Sequence, residues 1–201
     1  MHGLINRSIQ AFLIETYGQS QWDRVASQAR INASGFETML RYEDGLTEAI
    51  VVAGAKALDR PISVFLEDLG AFLATIEALR RLLRFGGPGF SDFLMSLDEI
   101  QSRGQLALPD LELPEIVLED QCGGSYEFSI RAAHAGWSAV MAGLVRAMAD
   151  DYGALVLIES QRPKPVSPDQ SEWVEYVSVE LLDASYVEGR SFALTHPEAV
   201  L

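Results

Sequence analysis

The chain has 201 residues, 48% of them hydrophobic and 22% charged, enough for one sizeable core with a lobe at one end. Its net charge of −14 excludes a phosphate-neutralising basic surface, so neither nucleic acid nor an anionic membrane is an expected partner. A single cysteine, Cys122 in the turn-like Gln121-Cys122-Gly123-Gly124, excludes an internal disulfide and multi-cysteine zinc, and reads as an inert thiol.

The N-terminus enters an amphipathic helix directly, without a signal-peptide core, and no apolar run is long enough to span a bilayer. A cytoplasmic location is the expectation. Leu4 to Tyr17 reads as a helix with Ile5, Ile9, Phe12 and Leu13 on one stripe, ended by Gly18. Gln21 to Ala29 is a second helix, and Phe36 to Leu40 a further helical turn or two. Thr47 is the expected N-cap of a helix over 48–58, which stops before Pro61. From Ser63 a long apolar segment runs through Phe72 and Leu83 as one helix, closed by Arg80, Arg81 and Arg84 and then by glycine. Gly86-Gly87-Pro88-Gly89 is an interhelical turn that lacks the lysine of a phosphate loop.

Phe90 to Gln101 is predicted to be helical, with Phe93, Leu97, Ile100 and Gln101 on one face. That face ends in an amide where a buried stripe ordinarily carries an aliphatic residue. The chain is helical to about residue 105, and after Pro114 the period changes from 3.6 to 2. Glu115 to Asp120 and Ser125 to Ala132 read as strands joined across Gly123-Gly124. In the second strand Glu127, Ser129 and Arg131 share one face and Tyr126 points to the other. His134 to Tyr152 is a helix, Ala154 to Glu159 and Trp173 to Leu182 are strands, and Pro163 to Pro168 is a stiff loop. The fold class is α+β: an N-terminal helical lobe followed by a four-stranded antiparallel sheet with a packed helix.

Leu97-Asp98-Glu99-Ile100-Gln101, Pro114 thirteen residues on, and Glu127-Phe128-Ser129-Ile130-Arg131 together resemble the H-NOX family, the haem nitric oxide/oxygen binding domains. Met1 to Asn6, Tyr42-Glu43-Asp44 with Thr47, and Gly70 at an ungapped distance from Gln101 extend the likeness over about residues 1–183. The resemblance implies a distal helical lobe (1–60), a proximal helix and sheet lobe (61–183) and a C-terminal extension (184–201). It also implies haem b. In the family a histidine ligates the iron where Gln101 stands, a proline packs near the porphyrin at Pro114, and a Tyr-x-Ser-x-Arg strand clamps the propionates. The first helix, with Ile5, faces the distal side. Here Ser129 and Arg131 are kept and Glu127 replaces the tyrosine.

A glutamine amide is a weak donor to iron beside an imidazole nitrogen. The bland reading of Gln101 is an amide bonded to backbone. Ile5, Leu69, Leu73, Phe93 and Leu97 are pocket walls or simply core. Glu127 repels a propionate or pairs with Arg131. His2, His134 and His196 lack metal-ligand spacing and read as surface or capping residues; Asp98-Glu99 and Asp150-Asp151 read as solvated charge. No catalytic constellation is present in the sequence pattern, and no metal site of protein ligands is expected. The expected function is a sensory or regulatory domain with haem weak or absent, or another apolar ligand in its place. It would act through a histidine kinase or a cyclic-dinucleotide enzyme, by family resemblance. The alternative is a haem gas sensor with a substitute axial ligand.

Overall fold

A computed structural model describes residues 1–161, 163–166 and 172–190. Helix α1 (Gly3–Tyr17) opens with the His2 ring accepting the Leu4 N–H at 3.2 Å, and Gly18 separates it from α2 (Gln19–Ala29). Helix α3 (Asp44–Ala57) and α4 (Ile62–Leu73) complete the first layer. Phe12, Trp22, Ile50 and Phe65 are fully buried at its centre, and the Trp22 indole donates to the Ala33 carbonyl at 2.8 Å. An apolar stripe on each helix thus finds its partner on the next, and burial of these side chains is the driving force.

Several local expectations are corrected, the first being the helical turn expected over Phe36 to Leu40, where the chain makes a non-helical turn at Thr38-Met39-Leu40. Thr47 is not an N-cap: α3 begins three residues earlier, at Asp44, and Thr47 lies inside it with its hydroxyl donating to Asn6 Oδ1 at 2.6 Å. The segment after Ser63 is not one helix. It breaks at Ala74-Thr75-Ile76, where the Thr75 N–H and hydroxyl both donate to the Phe72 carbonyl (2.9 and 2.7 Å), and resumes as α5 (Glu77–Arg84). A side chain that bonds backward to its own turn competes with the helical ladder. The helix at 90–101 breaks for the same reason. Ser96 donates to the Phe93 carbonyl at 2.8 Å between α6 (Phe90–Met95) and a 3₁₀ turn (Leu97–Glu99), and α7 (Ile100–Ala107) follows.

The antiparallel sheet contains β1 (Glu115–Asp120), β2 (Ser125–Ala132), β3 (Leu155–Ser160) and β5 (Trp173–Asp183) in the order β1-β2-β5-β3. A two-residue strand, β4 (Lys164–Pro165), also pairs with β5. The β1–β2 turn sets Cys122, Gly123 and Gly124 at positive φ, and Cys122 is exposed. Residues 167–171 fall outside the described residues, so the expectation for Ser167 and Pro168 is not addressed.

Helix α8 runs from Trp137 to Tyr152, shorter at its start than expected, because His134 precedes the Gly136 that begins it. It covers one face of the sheet: Met141, Val145 and Met148 pack against Phe128, Ile130, Val177 and Val179. Its other side meets α4 at backbone range. A Cβ placed on Gly143 would lie 1.8 Å from the Glu67 carbonyl oxygen, and one on Gly70 would lie 1.9 Å from that of Val140. These two glycines let the helices, and so the two cores, approach closely. Among the described residues no helix is long and apolar enough to cross a membrane.

Candidate functional site

Helix α7 places Gln101 half-buried beside the segment that enters the sheet, and its Nε2 donates to the Leu113 carbonyl at 3.1 Å. Pro114, the next residue, is buried, and Glu115 after it pairs with Arg131 in the β1–β2 register. Gln101, Pro114 and the Arg131 end of β2 therefore border one region. Ser129 is the next residue inward on the same face, opposite Val117 and Tyr176. Glu127 is a further pair along, about 13 Å from Arg131 at roughly 3.3 Å per residue. That separation is too long for a pair within one strand. The carboxylate beside Arg131 is Glu172, with Nη1 3.8 Å from Oε1 and both side chains substantially exposed.

Ile5 lies on α1, half-buried against the first core. That lobe reaches the Pro114 segment through Arg41, which pairs with the Glu112 carboxylate and donates to the Asp110 carbonyl at 3.4 Å. The Glu112 carboxylate, bonded to the guanidinium, raises the Arg41 pKa above its ordinary value. A second bridge joins α3 to the β2–α8 turn: His134 Nε2 lies 3.3 Å from Asp44 Oδ2, and Nδ1 lies 4.0 Å from Glu48 Oε1. The N-terminal ammonium bonds the other Asp44 oxygen and, with His134, holds that carboxyl below the usual carboxylate range. His134 is engaged with Asp44 and His2 with the Leu4 N–H, and His196 falls outside the described residues. Among the described residues no group of three or more His, Cys, Asp or Glu could hold a metal ion.

The sequence pattern missed two buried carboxylates. Asp151 is not solvated charge: it is 3% exposed, accepts from Arg80 Nε (3.0 Å) and Nη2 (2.7 Å), and lies 2.9 Å from Arg84 Nε. Asp98, Glu99 and Asp150 are exposed as expected. Glu175 is 1% exposed and accepts the N–H groups of Gly136 (2.7 Å), Trp137 (3.2 Å) and Ser138 (3.0 Å), together with the Ser138 hydroxyl. It neutralises the exposed donors at the start of α8, where a negative charge is favoured. The signal was available in Trp173 to Leu182, whose alternation puts Glu175 on the same face as Val177 and Val179.

Two cavities, of about 390 and 520 Å³, open beside Thr75, Arg80 and Arg190, and neither is lined by Ile5, Gln101, Pro114, Glu127, Ser129 or Arg131.

The family model described as HNOB, Haem-NO-binding, matches residues 2–160. Soluble guanylate cyclase gcy-31 of Caenorhabditis elegans is 24% identical over 164 residues, 79% of this chain and 23% of that protein. Soluble guanylate cyclase 89Da of Drosophila melanogaster is 24% identical over 169 residues, 80% of this chain and 25% of that protein. The chain thus spans about a quarter of the length of these curated relatives. Among solved structures, one bearing on the mechanism of H-NOX activation superposes with a TM-score of 0.75 at 14% identity, covering 91% of this chain and 97% of the other. An oxygen-binding H-NOX domain related to soluble guanylate cyclases, in its oxygen complex, gives 0.72 at 13% identity, covering 96% and 100%. At these identities the superpositions speak for the fold.

Proposed function

The chain belongs to the haem-NO-binding (HNOB, H-NOX) family of sensory domains, and on that premise we propose that it is a regulatory member whose haem site has degenerated. The observation that carries the reading is the Gln101 amide, which stands at the place of the family's iron-ligating histidine and is bonded to the Leu113 carbonyl. A neutral amide offers iron only a weakly donating carbonyl oxygen, and the bond from Nε2 ties this one to the Leu113 backbone. Glu127 adds a carboxylate to the strand that in the family receives two propionates, and the exposed Arg131 has the Glu172 carboxylate beside it at 3.8 Å. On this reading the residues present do not fit a histidine-ligated haem.

The sensory unit is residues 1–183, with 184–201 as an extension, and the chain is a cytoplasmic regulator without catalysis of its own. It acts through a protein partner, a histidine kinase or a cyclic-dinucleotide enzyme. The guanylate cyclase names of the relatives support this coupling of a sensor to a separate catalytic unit. Absorbance of the purified protein, before and after haem addition, is the test. The expected spectrum shows free haem only. A saturable six-coordinate spectrum would overturn the reading.

A further inference from the structure

The sheet has two faces, and α8 covers only one. The other carries Glu127, Ser129 and Arg131 on β2, flanked by odd-numbered residues of β1 and even-numbered residues of β5. Among the described apolar residues of this face Val117 is 47% exposed, Leu157 50% and Leu182 57%. Tyr176, opposite Ser129, is half-buried between them.

The charges on this face are ordered. Glu127 pairs directly with Glu119 on β1 and with Ser178 on β5, and Ser178 pairs with Glu159 on β3. One row across the sheet therefore reads Glu119, Glu127, Ser178, Glu159. The adjoining row adds the exposed Glu180 beside Leu157. Like charges directly opposite on neighbouring strands cost stability. Apolar side chains left in water forgo their burial. Both costs are relieved together by one kind of occupant, an amphipathic element whose apolar side rests on the Val117 and Tyr176 row and whose cations lie along the acidic row beside it.

We infer that this open sheet face docks a basic amphipathic helix of a partner protein, laid across it as α8 lies across the opposite face. Charge complementarity selects the occupant. The face's own cations, Arg131 beside Glu172 and Lys164 opposite Val174, lie at its other end and are outnumbered by its carboxylates, so a second copy of this chain brings net negative charge against net negative, and an anionic membrane is repelled likewise. Residues 191–201 contain no Lys or Arg and so do not supply the cations. The carboxylate at position 127, which disfavours a propionate, completes the acidic row. The inference rests on the reading that the chain works through a protein partner, and it names the surface and the chemistry of that contact.

The test is fluorescence anisotropy of a labelled synthetic peptide with Leu on one helical face and Lys on the other, titrated with the full chain. Glu119→Gln/Glu127→Gln is compared with the matched pair Glu15→Gln/Glu37→Gln on the first lobe. The expected result is an affinity about tenfold weaker for the sheet pair and little changed for the control pair, with binding lost as salt rises. Removing the opposed carboxylates should also raise the melting temperature of the sheet variant, so weakened binding cannot be ascribed to unfolding. Equal weakening by both pairs would mean a general polyanion effect and would overturn the proposal, as would no binding by the wild type. A dimer that the sheet pair alone abolishes, or wild-type binding to phosphatidylserine vesicles, would overturn it in favour of those occupants. Haem absorbance of the same samples is read independently, so a failure of the docking surface and a failure of the haem reading are told apart.

Discussion

Thr47 donates its hydroxyl to the Oδ1 of Asn6 across 2.6 Å, joining α3 to α1 inside the first core. Both residues are buried, and the Asn6 Nδ2 beside them has no hydrogen-bond partner. Thr47→Val leaves the Asn6 oxygen unpaired as well and should cost about 1–3 kcal/mol. Asn6→Leu/Thr47→Val removes both polar groups, and the double variant should recover most of that loss. Denaturant midpoints of the single and double variants check it.

The α4–α8 contact predicts a steric effect. Gly143→Ala places a methyl group where the Glu67 carbonyl oxygen lies, and backbone atoms on both sides leave it nowhere to go. The expected loss is about 1–3 kcal/mol or more, larger than for an alanine added to an open helix position. Gly45→Ala, with nothing within 4 Å of the new Cβ, is the control and should be near neutral.

Glu175→Ala strips the α8 N-terminus of its side-chain acceptor. It should cost at least about 2 kcal/mol, the upper end for loss of a helix cap, because four donors lose their partner together. Thermal melts and the far-UV helical signal report it. Glu175→Gln keeps an oxygen acceptor and should fall between the two.

Much of this architecture was legible in the sequence. The change of period at Pro114 marks where helices give way to strands, and the Gly123-Gly124 hairpin fixes a register in which Tyr126 and Glu127 face opposite ways. Polar residues whose partners are distant in sequence were not legible. Asp151 looks like surface charge beside Asp150 until α5 folds back and brings Arg80 and Arg84 to it. Thr47 has the chemistry of a cap, but an acceptor on α1 draws it into the core. The breaks at Thr75 and Ser96 come from hydroxyls that bond to their own turn, which apolar periodicity does not register. For the candidate site, the sequence supplied which residues depart from the family motif. That the Gln101 amide is tied to Leu113 needed coordinates.

Asp44 gives a pH dependence with a definite sign. Its carboxyl is held below the ordinary value first by the N-terminal ammonium and then by His134. A depressed folded-state pKa contributes stability that is present above the unfolded-state value and is lost as pH falls through the folded one. Asp44→Asn should therefore lower the melting temperature at neutral pH and converge on the wild type below the carboxylate range. The side chain is 50% exposed, so solvent screening keeps the effect small and salt-sensitive.

Haem affinity across wild type, Gln101→His, Glu127→Tyr and the double variant tests the central claim most directly. Gln101→His would supply an imidazole on α7 while Glu127 keeps its carboxylate at the place of the family's tyrosine, and Glu127→Tyr would restore that tyrosine but leave the iron without a strong donor. If these two substitutions are what removed the site, the double variant should bind haem more tightly than the two single gains together predict. The coupling expected of residues sharing a site is roughly 0.5–3 kcal/mol. A double variant with no gain over the wild type would contradict the account and mean that packing of the surrounding core, rather than these two residues, excludes haem.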